Sequence, residues 1–359
     1  MINQIQYVPV LKWKQGEQKA VEALAHTVKQ CLVPLIEIPP IDWDYENDVP
    51  KKTIDEHLLK IGDSLQRSWG MATPLFLDLH YIDESERLNN GLHPLNYVAN
   101  ECRNRGVSII PVTSPLRDND YQHEVLSILQ QDGLGVCFRL REIDFADLQL
   151  RIDSLLSLFS VNPSEVDLVL DYEYVDSKDE VRTTLFLAGL LNSTPYLKEW
   201  RNVIITGTSF PPDLSSVSSN SIDEIKRIEW LIWNKIISTS SIARRPVFGD
   251  YAVANPAPFE ADPRFINMSA NIRYTARDKF IIFKGRMIKR YGGGQYHQLA
   301  LQVISHPEYS GAQFSNGDLY IQEVAKNNDG PGNATNWRTS GTNHHLSFVV
   351  NELATVTVP

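Results

Sequence analysis

Ionisable side chains recur in pairs at the ends of short apolar runs, two residues apart with an apolar or aromatic residue between them. The pairs are Lys12-Trp13-Lys14, Asp78-Leu79-His80, Arg139-Leu140-Arg141 and Asp171-Tyr172-Glu173, and two further runs end near Glu37 and Asp250. A spacing of two places both charges of a pair on one face of a strand. Strands covered on both sides should be almost wholly apolar, and an isolated buried charge is costly. These groups therefore require one another, water or a ligand. One reading is an ion-pair lattice of Lys12, Lys14, Arg139 and Arg141 against Glu37, Asp78, Asp171 and Glu173. The other is a polar pocket whose members have perturbed pKa values.

As a pocket, Asp171, Glu173, His80, Asp78 and Glu37 form the candidate catalytic set. Their oxygen and imidazole donors suit a divalent metal such as Mg²⁺ or Mn²⁺ and metal-assisted hydrolysis. The four cations would compete with a metal and suit an anionic ligand better, with Asp171 or Glu173 as general base and His80 as acid or base. Thr206-Gly207-Thr208-Ser209 follows a seventh run, where many barrels bind phosphate. Thr206 is thus a candidate hydrogen-bond donor to an anion, with an ordinary loop as the alternative.

The elements that position these groups alternate regularly. Strand-like runs at 7–13, 31–38, 75–81, 108–113, 135–141, 167–174, 203–208 and 247–251 are separated by helical patterns. Those patterns lie at 17–29, 53–69, 94–105, 121–131, 145–159, 180–191 and 222–237. The last of these opens on Ser221 with Glu224 three residues on, a capping box. Eight strands joined by helices predict parallel strands with right-handed crossovers and a closed (β/α)8 barrel of the TIM type. A doubly wound sheet is the alternative, but the first turn, Lys14-Gln15-Gly16-Glu17, is no dinucleotide fingerprint. A final helix at 344–353, capped from Gly341-Thr342-Asn343, carries the core stripe Leu346, Val349, Val350 and Leu353. The chain (1–359) reads as one barrel domain, with 256–340 as an insertion, or lid, between the eighth strand and that helix.

The insertion holds a hairpin at 271–275 and 280–284 and a helix at 295–305. Between 264 and 306 its cations Arg264, Arg273, Arg277, Lys279, Lys284, Arg286, Lys289 and Arg290 face one acid, Asp278: a net +7 within a chain of −10, leaving −17 elsewhere. Tyr274, Phe283, Tyr291 and Tyr296 interleave with them. Arg273, Tyr274, Lys284 and Arg286, with Asp250 from the last strand, join the candidate ligand-binding set. Basic residues with aromatics suit phosphate contact and base stacking. A hairpin salt-bridged to the acidic barrel, or a face for a partner protein, are the alternatives. Gly292-Gly293-Gly294 reads as a hinge, His344-His345 as helix start and packing, and Trp337-Arg338 as either a lid closure or simple packing.

Composition bounds the rest. The chain has 359 residues, 42% apolar and 22% charged, which excludes wholesale disorder. No apolar run approaches a membrane span, and Met1 to Gln4 begin no basic leader, so a cytoplasmic protein without a membrane partner is expected. Cys31, Cys102 and Cys137 include no C-x-x-C pair and read as inert thiols of a reducing compartment.

The chain resembles the beta family of proteins found in bacteria, prophages and satellite phages. The resemblance rests on the opening Tyr7-Val8-Pro9-Val10-Leu11-Lys12, the strand Asp171-Tyr172-Glu173, the hairpin Asn271-Ile272-Arg273-Tyr274-Thr275, and the ending from Trp337 to Leu346. It implies a role in antiphage defence, since members sit on mobile elements, one beside a toxic gene. It supplies no catalytic residues. Phosphodiesterase-type barrels are a weaker comparison, because their early His-Arg pair is absent. The expectation is a barrel that binds an anionic small molecule or nucleic acid at its mouth and hydrolyses a phosphoester or glycosidic bond. The alternative is a non-catalytic sensor of a phage component, or a restraint on a toxic partner from the same cassette.

Overall fold

The computed structural model describes residues 5–71, 73–257 and 268–356. Arg264 and the rest of 258–267, part of the expected insertion, lie outside the described residues, as do residues 1–4. Eight parallel strands close a barrel: β1 (Tyr7–Lys12), β2 (Leu35–Glu37), β3 (Leu75–Asp78), β4 (Ile109–Thr113), β5 (Val136–Arg141), β6 (Val166–Tyr174), β7 (Asn202–Thr208) and β9 (Val247–Asp250). β8 (Ser221–Lys226) lies outside it. Around the barrel the order is β1-β9-β7-β6-β5-β4-β3-β2, the sequential order of a TIM barrel.

Alternation divides each strand between two cores. Val8, Val10, Leu35, Phe76, Val112, Val169 and Ile204 fill the barrel, whereas Tyr7, Leu11, Ile36, Leu77, Leu140 and Phe248 pack against the helices. The outer helices are α1 (Gln15–Glu22), α2 (His26–Lys29), α3 (Ile54–Leu58), α4 (Ile61–Ser68), α5 (Pro94–Asn104), α6 (Asn119–Asp132), α7 (Leu148–Phe159), α8 (Glu180–Ser193) and α9 (Ile228–Ile237). Two of the expected helices are broken, 17–29 into α1 and α2 and 53–69 into α3 and α4. The second pair opens on a complete capping box between Thr53 and Glu56.

The capping box read at Ser221 and Glu224 does not form. β8 pairs antiparallel with β11 (Lys279–Met287), setting Ile222 against Phe283 and Ile225 against Phe280. Pairing with an apolar strand outweighs the local cap signal, and α9 begins at Ile228, whose N–H donates to Ser209 Oγ at 3.1 Å. β11 also pairs with β10 (Ser269–Thr275), so the outer sheet runs β8-β11-β10. One of its strands precedes β9, so this layer is not the single insertion expected from sequence.

Behind the sheet lie α10 (Ile288–Tyr291), α11 (Gln295–Ile304) and α12 (Asn316–Ala325), with their own core around Ile272, Phe283, Leu299, Val303, Ile321 and Trp337. The last helix, α13 (Ala334–Thr355), begins ten residues earlier than expected, at an Asn333 side chain that accepts from the Thr335 and Asn336 N–H groups. Its polar first half is buried because each group has a partner. Asn343 accepts from Gly317 N–H and donates to Ala20 O, and Ser340 donates to Gly317 O.

Candidate functional site at the barrel mouth

The register sets Lys12 beside Glu37 and Glu37 beside Asp78, while Asp171 lies between Arg141 and Thr206. Their side chains share the inner face at the C-terminal ends of the strands, where barrel enzymes place their sites. Arg139, fully buried, stands at the centre. Its Nε donates to Asp171 Oδ2 (2.9 Å), Nη1 to Glu37 Oε1 (2.8 Å) and Asp78 Oδ2 (2.9 Å), and Nη2 to the Tyr251 hydroxyl (2.8 Å). Tyr251 in turn donates to Asp171 Oδ2 at 2.6 Å. Burial alone would raise the Glu37 carboxyl, but Arg139 and His80 outweigh it and bring its pKa down to about 2. Burial likewise opposes ionisation of Asp78, and Arg117 and Arg139 overcome it.

This inner layer is the ion-pair lattice. Among the described residues, no group of three or more His, Cys, Asp or Glu is arranged to hold a metal ion. The Arg139 guanidinium occupies the place among these carboxylates that a cation would need, so they do not fit the Mg²⁺ or Mn²⁺ site read from the sequence, although Glu37 Oε2 is buried without a partner.

The rim above the lattice is different. His80 Nε2 lies 2.9 Å from Glu37 Oε1. Because Glu37 is ionised and can only accept, Nε2 carries the proton and Nδ1 is the basic nitrogen. Arg141 Nη2 approaches the ring at 3.3 Å, and Arg141 Nε lies 3.5 Å from Glu173 Oε1, both side chains partly exposed. Glu173 is held at φ 57°, left-handed backbone that is uncommon outside glycine. Its N–H donates to Asp171 Oδ1 at 2.9 Å, which fixes the turn. Burial raises the Glu173 carboxyl above its ordinary range, with Arg141 opposing. A cavity of about 290 Å³ opens beside His80, lined also by Ile82, His93, Leu116, Arg117 and Tyr121. A broader depression of about 420 Å³ is lined by Arg141, Glu142, Ile143 and Glu173.

The remaining candidates are placed as follows. Lys12 reaches the mouth, but its ammonium donates to the carbonyls of Asn255 (3.2 Å), Pro256 (2.8 Å) and Ala257 (2.9 Å). Burial there lowers its pKa to about 8. It clamps the loop after β9, as does Tyr81, whose hydroxyl donates to Pro256 O at 2.6 Å. Lys14 is exposed at the start of α1. Thr206 is inside the barrel, its Oγ1 buried with no protein partner.

Asp250 is not at the mouth. Gly249 and Tyr251 face inward, so Asp250 faces the helices, accepting from the Tyr7 hydroxyl (2.5 Å) and pairing with His345 Nε2 (2.9 Å). Tyr274 is buried in the outer layer, donating to Asp318 Oδ1 at 2.8 Å. Arg273 donates to Val253 O (2.7 Å) and lies over the Phe210 ring. Lys284 donates to the carbonyls of Leu214 and Val217 and so pins the Ser-rich loop. Of the outer-sheet candidates, Arg286 is at the surface.

Two mouth residues escaped the sequence reading. Tyr251 was legible from pleat parity, two residues after the inward Gly249. Arg117, ion-paired with Asp78 from the loop after β4, carries no local signal. His344 and His345 sit in the middle of α13 rather than at its start, and Trp337 stacks on Tyr296 with ring centroids 4.8 Å apart. Burial pushes the Cys102 thiol up to about 12 and Cys137 well above its ordinary value. Among the described residues, no helix is long and apolar enough to cross a membrane.

The chain matches no curated protein. Among solved structures it is similar to triosephosphate isomerase from Bartonella henselae (12% identity, 68% of this chain and 92% of that one, TM-score 0.36). It is also similar to a mutant tryptophan synthase α-subunit from Pyrococcus furiosus (13% identity, 69% and 88%, TM-score 0.37). A third likeness is to the catalytic module of a family 98 glycoside hydrolase from Streptococcus pneumoniae in complex with the H-disaccharide blood group antigen (13% identity, 70% and 48%, TM-score 0.38). The profile of one family, described as Beta protein, matches residues 7–351, so the chain belongs to the Beta protein family.

Proposed function

We propose that this barrel binds a phosphate-bearing ligand, a nucleotide or nucleic acid, at the rim of its mouth and hydrolyses a phosphoester bond there. The observation that carries this reading is the meeting of Arg141, His80 and Glu173 on open ground, with Arg141 3.3 Å from the imidazole and 3.5 Å from the carboxylate. Arg141 offers a fork of donors to a phosphate. As the ligand draws that guanidinium away, His80 Nδ1 is free to take a proton from an attacking water. Glu173, whose carboxyl burial raises above its ordinary range, stands where it can deliver a proton to the leaving oxygen. A glycosidic mechanism needs a second working carboxylate, and Glu37, Asp78 and Asp171 are all engaged by Arg139.

The test is mass spectrometry of ligands that co-purify with the protein, then hydrolysis assays on them and on a nucleotide panel. H80A and E173Q should each slow turnover about 100-fold or more, and R141A should lose the ligand. A parent protein that yields no ligand and no turnover sinks the proposal. The engagement of Glu37, Asp78 and Asp171 by Arg139 favours a second reading, a binding protein that senses a phage component or restrains a toxic partner. A ligand recovered intact without turnover selects it. What supports the defence setting is the family itself, and plaque counts on cells carrying the parent or R141A test it.

A further inference from the structure

Several cations of the basic stretch have partners inside the fold. Lys279 pairs with Glu224 at 2.8 Å, and Lys284 and Arg273 are held by backbone carbonyls. Arg286 and Arg290 differ: both are exposed, and among the described residues neither has a carboxylate at ion-pair distance. Their guanidinium carbons lie 5.0 and 5.3 Å from the ring centroid of Tyr291, itself 46% exposed.

The cluster is braced from beneath. Gln295 Oε1 accepts from Arg286 N–H, and Gln295 Nε2 donates to Gly292 O, each at 2.7 Å. The Asn220 side-chain oxygen, at the end of the Ser-rich loop, accepts from Arg286 Nε at 2.7 Å. Beside it run Gly292, Gly293 and Gly294, where an added methyl group would meet nothing within 4 Å.

We propose that this tip of the outer sheet is a contact site for single-stranded nucleic acid. An exposed aromatic face takes a base of any sequence, adjacent guanidiniums take the flanking phosphates, and an open glycine run lets a sugar–phosphate backbone approach closely. The charge of the sequence favours this region over the rest of the chain, since the stretch from 264 to 306 carries +7 in a chain of −10. An acidic segment would be held chiefly through the arginines, whereas a nucleobase also stacks on the tyrosine ring, so the aromatic beside two guanidiniums favours nucleic acid. The site stands apart from the barrel mouth and does not depend on the hydrolytic reading.

The test is fluorescence anisotropy with a labelled oligothymidylate of about 20 nucleotides, longer than the few this patch can cover, at several salt concentrations. The parent should bind, weakening as salt rises. The R286A/R290A double variant should lose about tenfold or more, and Y291A about fivefold or more, with Y291W restoring affinity. K198A, at an exposed cation between α8 and β7 and outside both sites, should bind like the parent. All four positions are exposed or half-exposed, so unchanged unfolding midpoints will show that the variants are folded. Absence of binding at low salt, or binding indifferent to both the arginine and tyrosine variants, overturns the proposal. So does equal competition by polyglutamate with Y291A unaffected, which would mark a surface for acidic protein.

Discussion

The barrel mouth and the seam under α13 are both built from buried charge, yet they are organised in opposite ways. At the mouth, one permanently charged group, Arg139, holds Glu37, Asp78 and Asp171 together, and the network continues upward into partly exposed Arg141, His80 and Glu173. Under α13 two buried histidines face carboxylates, and their ring nitrogens are all taken by protein groups. His345 lies between Asp250 and the Thr275 hydroxyl, and His344 between Asp318 Oδ2 and Thr275 O, all buried. A network that opens to solvent at one end can exchange a partner for a ligand. One that is satisfied on all sides can only hold the outer sheet and α13 to the barrel. Burial of charge therefore does not by itself mark a site; an open end does.

The sharpest way to break this contrast is to remove the centre of the mouth. R139M has similar volume but leaves three buried carboxylates without their cation, and should cost about 3–5 kcal/mol. Urea denaturation measures it. A loss under 1 kcal/mol would mean that the lattice is not what holds the throat, and that its carboxylates are free for other work.

The seam should instead reveal itself through pH. Burial lowers the His345 pKa below its ordinary 6.5, so the unfolded chain binds the proton first. The stability this contributes is complete above about pH 6.5 and declines as pH falls towards the folded value. Asp250, also lowered, adds a second loss below its ordinary 3.8. Glu229 works against them. Burial raises its pKa to about 7, so the stability it contributes is present below its ordinary 4.5 and is lost as pH rises through about 7. H345Q should cost about 1–3 kcal/mol at neutral pH, an imidazole hydrogen bond to a charged partner, and remove the decline below pH 6.5. E229Q should remove the loss between about pH 4.5 and 7. Urea midpoints across pH for the parent and both variants separate the two slopes. Parallel curves for parent and H345Q would show that the seam does not titrate.

How far this contrast could be read in advance depends on which physical signal each residue carries. The period-two pairs at Asp78/His80, Arg139/Arg141 and Asp171/Glu173 were legible because charge inside an otherwise apolar strand has few explanations. The same counting failed at Asp250. Distance from the strand end was the guide there, whereas pleat parity, with Gly249 and Tyr251 inward, decides the face. The barrel was legible from eight alternations. The hairpin of the outer sheet was legible as well, but its third strand was not, because Ser221 and Glu224 satisfy a helix cap locally and only pairing with Phe280 to Phe283, far along the chain, makes that segment a strand. The first half of α13 was invisible for a related reason. Thr335, Asn336, Ser340 and Asn343 look like loop residues until their distant partners are known.

The smallest expected effect sharpens the comparison most, because it separates function from stability at one position. Glu173 holds left-handed backbone at φ 57°, a conformation that costs a non-glycine residue about 1 kcal/mol and persists where surrounding structure imposes it. Its ion pair with Arg141 is long and partly exposed, so losing that contact should change stability little. E173G should then be more stable than E173A by about 1 kcal/mol, and at least as stable as the parent, while lacking the proposed acid. Nothing in the closed seam should behave this way, since every residue there gives up a buried hydrogen bond when truncated. Thermal unfolding of the parent, E173A and E173G supplies the measurement. If E173G proves no more stable than E173A, the left-handed turn is not strained, and the case for Glu173 as a residue kept for chemistry loses its energetic support.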